Sequence, residues 1–278
     1  MGRLQNEPQA SGSLGEARVW PGHVVCLHAH AVPRVDPTQT HPLPMSLLAR
    51  IQALAAEHHS EWVGIRRHLH AHPELSFEEH QTMAYVSATL TSWGVDHQTH
   101  VTGTGIVAHV HGQQPDSRTV ALRADMDALP ITEANEVEYA STNPGVMHAC
   151  GHDGHMTMLL GAAAQLSQNP NFDGTVVFIF QPNEENGLGA LAMLEEGFLS
   201  KFPIEEVYGI HNLPGAPLGQ VSTRIGIICS SESLFEIKIE GQGGHASMPH
   251  LGRDAITIGA ELVQSLQTIV VSFDHLKF

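Results

Sequence analysis

The segment Thr175-Val176-Val177-Phe178-Ile179-Phe180-Gln181-Pro182-Asn183-Glu184-Glu185 decides the fold. From Thr175 to Phe180 every residue is β-branched or aromatic, the pattern of a strand covered on both faces rather than one with a wet side. Pro182 follows, and two adjacent carboxylates, Glu184 and Glu185, stand at the carboxyl end. Strands covered on both faces belong to parallel-centred sheets flanked by helices, which collect their chemistry at the strands' carboxyl ends.

Outward from this strand, helix and strand alternate. Downstream, a helix is expected over Gly189 to Glu196, then a strand Val207-Tyr208-Gly209-Ile210 running into His211-Asn212. Upstream, Met156 to Ala164 reads as a buried apolar helix, and Gly105 to His111 and Thr119 to Arg123 read as two strands of a hairpin joined by a turn over 112–117. The second of these strands runs into Asp125-Met126-Asp127, where an Asx turn is the simplest isolated reading. The spacing of Leu47, Leu48, Ile51, Leu54, then Trp62, Ile65 and Leu69 predicts two helices or one bent helix, stopped before Pro73. Ser76 is expected to cap a following helix, Glu78 to Trp93, closed by Gly94. His70 and His72 are expected to pack or cap. The fold class is α/β, a central mostly parallel sheet flanked by helices.

Beyond Arg224 the character changes. Ser233 to Glu240 alternates as a strand with one wet face does, Gly241 to His245 forms a Gly-rich loop, and a helix follows Asp254. This predicts a second domain over 225–278, a body over 45–224, and a disordered leader over 1–44, where prolines interrupt any element and four histidines and Cys26 are expected to be solvated. The formal charge of −16, from 29 acidic and 13 basic residues, excludes a general nucleic-acid or anionic-membrane binder. No apolar run reaches membrane-spanning length. Three cysteines offer no disulfide framework and suit a reducing, cytoplasmic compartment.

The densest chemistry lies in Met147-His148-Ala149-Cys150-Gly151-His152-Asp153-Gly154-His155. Thiolate, imidazole and carboxylate are the ligands that zinc and similar ions accept. Together with Asp125, Asp127, Glu184, Glu185 and His211, the candidates Cys150 and His152 sit where strands end or helices begin. A pair of divalent ions about 3.5–4 Å apart uses a mixed ligand set of this size and clamps a water for attack on a carbonyl or phosphoryl group. On an extended chain Glu184 and Glu185 would point apart, so that one binds metal while the other takes the water's proton. A Cys150 nucleophile would leave Glu184, Glu185 and His211 without work. A zinc nucleoside deaminase would need a paired-cysteine element that is missing.

The segments Arg66 to Leu75, Arg123 to Pro130, His148 to Asp153, Gln181 to Glu185 and Gly243 to His250, in this order, resemble the M20 metallopeptidase family, in particular its amidohydrolase branch of hippurate hydrolases, N-acyl-amino-acid deacylases and auxin-conjugate hydrolases. The resemblance implies a catalytic domain plus an incomplete α+β lid that serves for dimerisation. It implies two divalent ions, Zn, Mn or Co, held by Cys150, His152, Glu185 and His211, with Glu184 as general base. It makes Asp127 an orienting aspartate, and His245 a stabiliser of the oxyanion, in related enzymes often supplied across a homodimer. Asp125 stands where other branches carry a metal-binding histidine and is not counted as a ligand, while Asp153 is expected to orient a ligand or cap its helix, and His148 and His155 to pack or support. The implied reaction is hydrolysis of the amide bond of small N-acyl amino acids by metal-activated water. Asn183, Asn186 and His68 depart from the family pattern tolerably. The family's lid is longer and is followed by a last histidine ligand, so the expectation is a C-terminally truncated form, with an inactive metal-binding or subunit-association protein as the alternative.

Overall fold

The computed structural model describes residues 46–228 and 235–272. Chain contacts divide these into a body ending at Gln220 and a second unit from Val221 onward. The leader expected over 1–44, with Cys26, and also Cys229 lie outside the described residues.

The body opens with helices α1 (Leu47–Glu57) and α2 (His59–Ala71), the first capped by Ser46, whose Oγ accepts the Ala49 N–H. Next come α3 (His80–Ser92), β1 (His97–Val101), β2 (Gly105–His111), β3 (Thr119–Asp125), α4 (His152–Gln168), β4 (Thr175–Gln181), α5 (Gly189–Glu195), α6 (Phe198–Lys201) and β5 (Glu206–Gly209). The strands form one sheet in the order β1-β2-β4-β3-β5. β4 is central: it runs antiparallel to β2 and parallel to β3, which is in turn parallel to β5.

This order explains the apolar run from Thr175 to Phe180. Phe178 and Phe180 face a cluster built by Ile65, Leu69, Val86, Met156 and Leu160 from α2, α3 and α4. Val177 and Ile179 face the opposite cluster with Met193 and Phe198 from α5 and α6. Alternate side chains of a strand point to opposite faces, so both sets must be apolar when both faces are covered.

Two expectations are corrected. β2 and β3 do not form a hairpin, because β4 inserts between them. The hairpin is β1-β2, with its turn carried by positive φ at Thr102 and Gly103. β1, His97-Gln98-Thr99-His100-Val101, is a polar-looking edge strand, and its burial alternates only weakly. Ser76 does not cap α3, which starts at His80 behind Glu79. Residue Leu75 bridges Ala128, laying the segment against the end of β3, and the Ser76 hydroxyl donates to Asp127 instead.

In the second unit, α7 (Ala255–Ser272) follows Asp254, whose carboxylate accepts from the Ile256 N–H and the Thr257 hydroxyl. Residues 235–240 are not a strand, and 233–234 lie outside the described residues, so the strand expected over Ser233 to Glu240 is not formed in its described part. A strand is made by its ladder, and the unit's one bridge among described residues joins Gln242 to Arg253.

Candidate metal centre

Parallel pairing of β3, β4 and β5 brings their carboxyl ends to one edge, with Asp125 in register with Gln181. The N-terminus of α4 opens at the same edge. Gly151, at φ 100°, turns the chain into that helix so that His152 is its first residue and is fully buried. The His152 Nδ1–H donates to the Asp127 carbonyl at 2.8 Å. With the proton fixed there, the lone pair of the neutral ring is on Nε2.

Around that nitrogen the remaining donors converge. Asp125 Oδ2 lies 3.6 Å away, Glu185 Oε1 3.7 Å and Glu184 Oε2 3.8 Å. Cys150, His152 and His211 form a second grouping, in which Cys150 Sγ is 3.3 Å from His211 Nε2. His152 Nε2 and Glu185 Oε1 are buried without a hydrogen-bond partner among the described residues. Buried polar atoms normally find partners, and donors at these separations fit around an ion bonded at about 2.0–2.3 Å. The residues therefore fit divalent metal, and the groups sharing His152 constitute a metal-binding site.

Glu184 and Glu185 both reach His152, contrary to the expectation that neighbours on an extended chain diverge. The chain is not extended there. Asn183 is left-handed at φ 47°, and a turn closes from Glu184 to Gly187. Asp127 ties the turn down: Oδ1 accepts the Glu184 N–H and Oδ2 the Glu185 N–H, each at 3.0 Å. Burial alone would raise the Asp127 pKa, but hydrogen bonds from His152, Ser76 and these two amides hold it down to about 2.

Burial first, then the carboxylates of Glu185, Glu184 and Asp125, push the Cys150 thiol up to about 12. An anionic nucleophile is disfavoured in that setting, whereas a cation among the same carboxylates would favour the thiolate. Burial also raises the Glu185 pKa. Asp125 is engaged by His155 Nδ1 and Arg123 Nη1, each at 2.7 Å. Burial works against its ionisation, but the His155 hydrogen bond and the charges of His152 and Arg123 outweigh that and lower its pKa.

Seven of the residues singled out in the sequence thus meet here: Asp125, Asp127, Cys150, His152, Glu184, Glu185 and His211. His245 belongs to the second unit, where its Nδ1 contacts the Ser247 hydroxyl at 2.7 Å. Asp153 makes no capping hydrogen bond to α4 among the described residues; its Oδ2 accepts from His70 at 2.9 Å and Arg66 at 3.1 Å, tying α2 to α4. His148 is buried with both ring nitrogens unpaired among the described residues, and burial lowers its pKa to about 4. Sequence reasoning missed Glu79, which is fully buried and accepts from Thr104 and from the Asn183 N–H at the base of the glutamate turn. It also missed Asn212, whose backbone N–H and side-chain Oδ1 both meet His155 Nε2. The one signal for Glu79 was its place on an acidic pair, which resembled an ordinary first helical turn.

The model of the peptidase family M20/M25/M40 matches residues 121–274. An N-acyl-L-amino acid amidohydrolase of Geobacillus stearothermophilus is 46% identical over 79% of this chain and 59% of its own. An IAA-amino acid hydrolase of Arabidopsis thaliana is 44% identical over 76% and 48%. Among solved structures, a putative aminohydrolase of Staphylococcus aureus superposes with a TM-score of 0.64 at 37% identity, covering 80% of this chain and 59% of that one. A dinuclear metal-binding peptidase of Bacillus subtilis gives 0.56 at 39%, covering 59% and 46%. The chain spans about half the length of the curated relatives it matches.

Proposed function

The chain belongs to peptidase family M20/M25/M40, and from that premise we propose that it carries the catalytic centre of a metal-dependent amidohydrolase that cleaves the amide bond of N-acyl amino acids. The observation that carries the reading is His152 Nε2: buried, without a hydrogen-bond partner among the described residues, its tautomer fixed, and aimed between the Cys150–His211 pair and the two glutamates. Cys150, His152, Glu185 and His211 would hold two divalent ions, with Zn, Mn and Co all compatible with the mixed sulfur, nitrogen and oxygen donors. When bound, such ions supply a Lewis acid that polarises the acyl carbonyl and acidifies water.

The chain's own residues divide the rest. The Glu184 side chain is 36% exposed and that of Glu185 20%, with one Glu185 oxygen buried and without a hydrogen-bond partner among the described residues. This supports Glu185 as the ligand and Glu184 as the base that accepts the water's proton and delivers it to the leaving amine. Asp127 holds both backbone amides, which fixes the turn that presents the two carboxylates. We assign His245 to donating a hydrogen bond to the developing oxyanion, from a second unit that would also serve a homodimer. N-acyl amino acids are favoured as substrates because relatives that act on them share more than 40% identity with this chain.

The test is hydrolysis of N-benzoylglycine and N-acetyl amino acids by residues 1–278 with added Mn²⁺, Zn²⁺ or Co²⁺. Turnover lost in Glu184→Gln while metal content is retained is the expected result. Because the chain spans about half the length of its relatives, the second reading is a protein that binds metal without turnover; bound metal without hydrolysis of any of these substrates would select it.

A further inference from the structure

We infer that His155, held between Asp125 and Asn212, is a positioning residue that sets His211 against Cys150. The inference rests on the reading of Cys150 and His211 as metal ligands. His211 follows β5 on an exposed segment outside any helix or strand. Its Nδ1 lies 2.7 Å from the carbonyl of the adjacent Asn212, a contact that attaches the ring to its own segment and not to the body.

Asn212 makes the attachment to the body. Its backbone N–H lies 3.1 Å from His155 Nε2, and its side-chain Oδ1 is 2.7 Å from the same nitrogen. His155 is buried on the first turn of α4, and its Nδ1 meets Asp125 Oδ1 at 2.7 Å. Asp125 closes β3 and is fixed in turn by Arg123. A carboxylate only accepts, so Nδ1 of the ring carries a proton toward Asp125, while Nε2 accepts the Asn212 N–H in the neutral ring and donates to Asn212 Oδ1 in the charged one. The His155 and His211 rings also meet edge-on, with centroids 4.6 Å apart. Gly151 completes the arrangement, since a Cβ there would collide with the Asn212 amide.

The run Asp125–His155–Asn212 thus connects the end of β3 to the segment that carries His211 just beyond the last paired residue of β5. It gives Asp125 and His155 a task other than ligation, although both lie near His152. Residues that orient ligands in this way typically change metal affinity by roughly 10–100-fold when removed.

The experiment is a Co²⁺ titration of the full chain against a competing chelator, following the thiolate-to-cobalt charge-transfer absorption that reports Cys150. His211→Ala is expected to weaken binding and the band together. Asn212→Ala, at an exposed position, and His155→Ala are expected to weaken Co²⁺ binding by roughly 10–100-fold. His155→Gln, whose amide can meet the Asn212 N–H, is expected to recover part of the loss. Circular dichroism of Asn212→Ala should match wild type. If His211→Ala weakens binding while Asn212→Ala and His155→Ala bind Co²⁺ as wild type does, the positioning role is wrong and the ligand reading stands. If wild type shows no band, or His211→Ala binds as wild type does, the ligand reading fails and takes the inference with it.

Discussion

Asp127 accepts from two consecutive backbone amides, a serine hydroxyl and, through its carbonyl, the tautomer-fixing proton of His152. Its folded pKa of about 2 lies below the ordinary 3.8. A depressed carboxylate contributes stability that is complete above the unfolded value and is lost as pH falls through the folded one, here between about 4 and 2. The difference of nearly two units corresponds to about 2 kcal/mol. In metal-free protein, the stability gap between wild type and Asp127→Asn is therefore expected to narrow as pH drops from about 4 to 2, measured by denaturant unfolding at each pH. A gap that stays constant over that range would show that the carboxylate's charge is not what the amides hold. Gly151 gives a second test at this scale. At φ 100° an alanine is strained by about 1–2 kcal/mol, and its methyl would displace Asn212. Gly151→Ala should lower unfolding stability by about that amount and weaken Co²⁺ binding, and an unfolding midpoint equal to wild type would refute the strain argument.

Among the elements, β4 was legible because its surroundings are uniform: a strand covered on both faces needs no partner to be recognised, since every position demands an apolar side chain. The strand-end ligands were legible for the same reason, because polar residues directly after such a run mark where the strand leaves the core. The hairpin was misread because strand pairing is not local. Nothing within 105–123 states that a strand more than fifty residues later will insert, and the true partner β1 is a polar edge whose alternation is faint. Asn212, His155 and Glu79 were illegible as functional groups since their value lies wholly in which distant atoms they touch. The centrality of β4 carries its own prediction. Phe178→Ala removes a fully buried ring and should cost roughly 3–5 kcal/mol. Val207→Ala on the exposed strand β5 should change stability by less than about 0.5 kcal/mol. Similar losses for both in urea unfolding would mean that β4 is not the spine of the core.

At the scale of the whole molecule, the unequal burial of the two units matters. Every ligand assigned to metal, together with the residues that orient them, lies in the body before Gln220. The second unit by itself buries little: Ile256, Val263 and Ile269 of α7 are more than half exposed, and no helix among the described residues is long and apolar enough to cross a membrane. An ion that binds the folded body and not the unfolded chain stabilises it by mass action, about 2.7 kcal/mol at a hundredfold excess over Kd. Chelation should therefore raise the hydrogen-exchange rates of amides in β3, β4 and the first turns of α4, whose opening releases the ligands. Amides of α7 should exchange at the same rate with and without the ion, because no assigned ligand lies on that helix. Exchange that slows equally across both units when Zn²⁺ or Co²⁺ is added would contradict this division, and would place a metal ligand or a metal-dependent contact beyond Val221. Exchange that slows in neither unit would remove the metal centre itself.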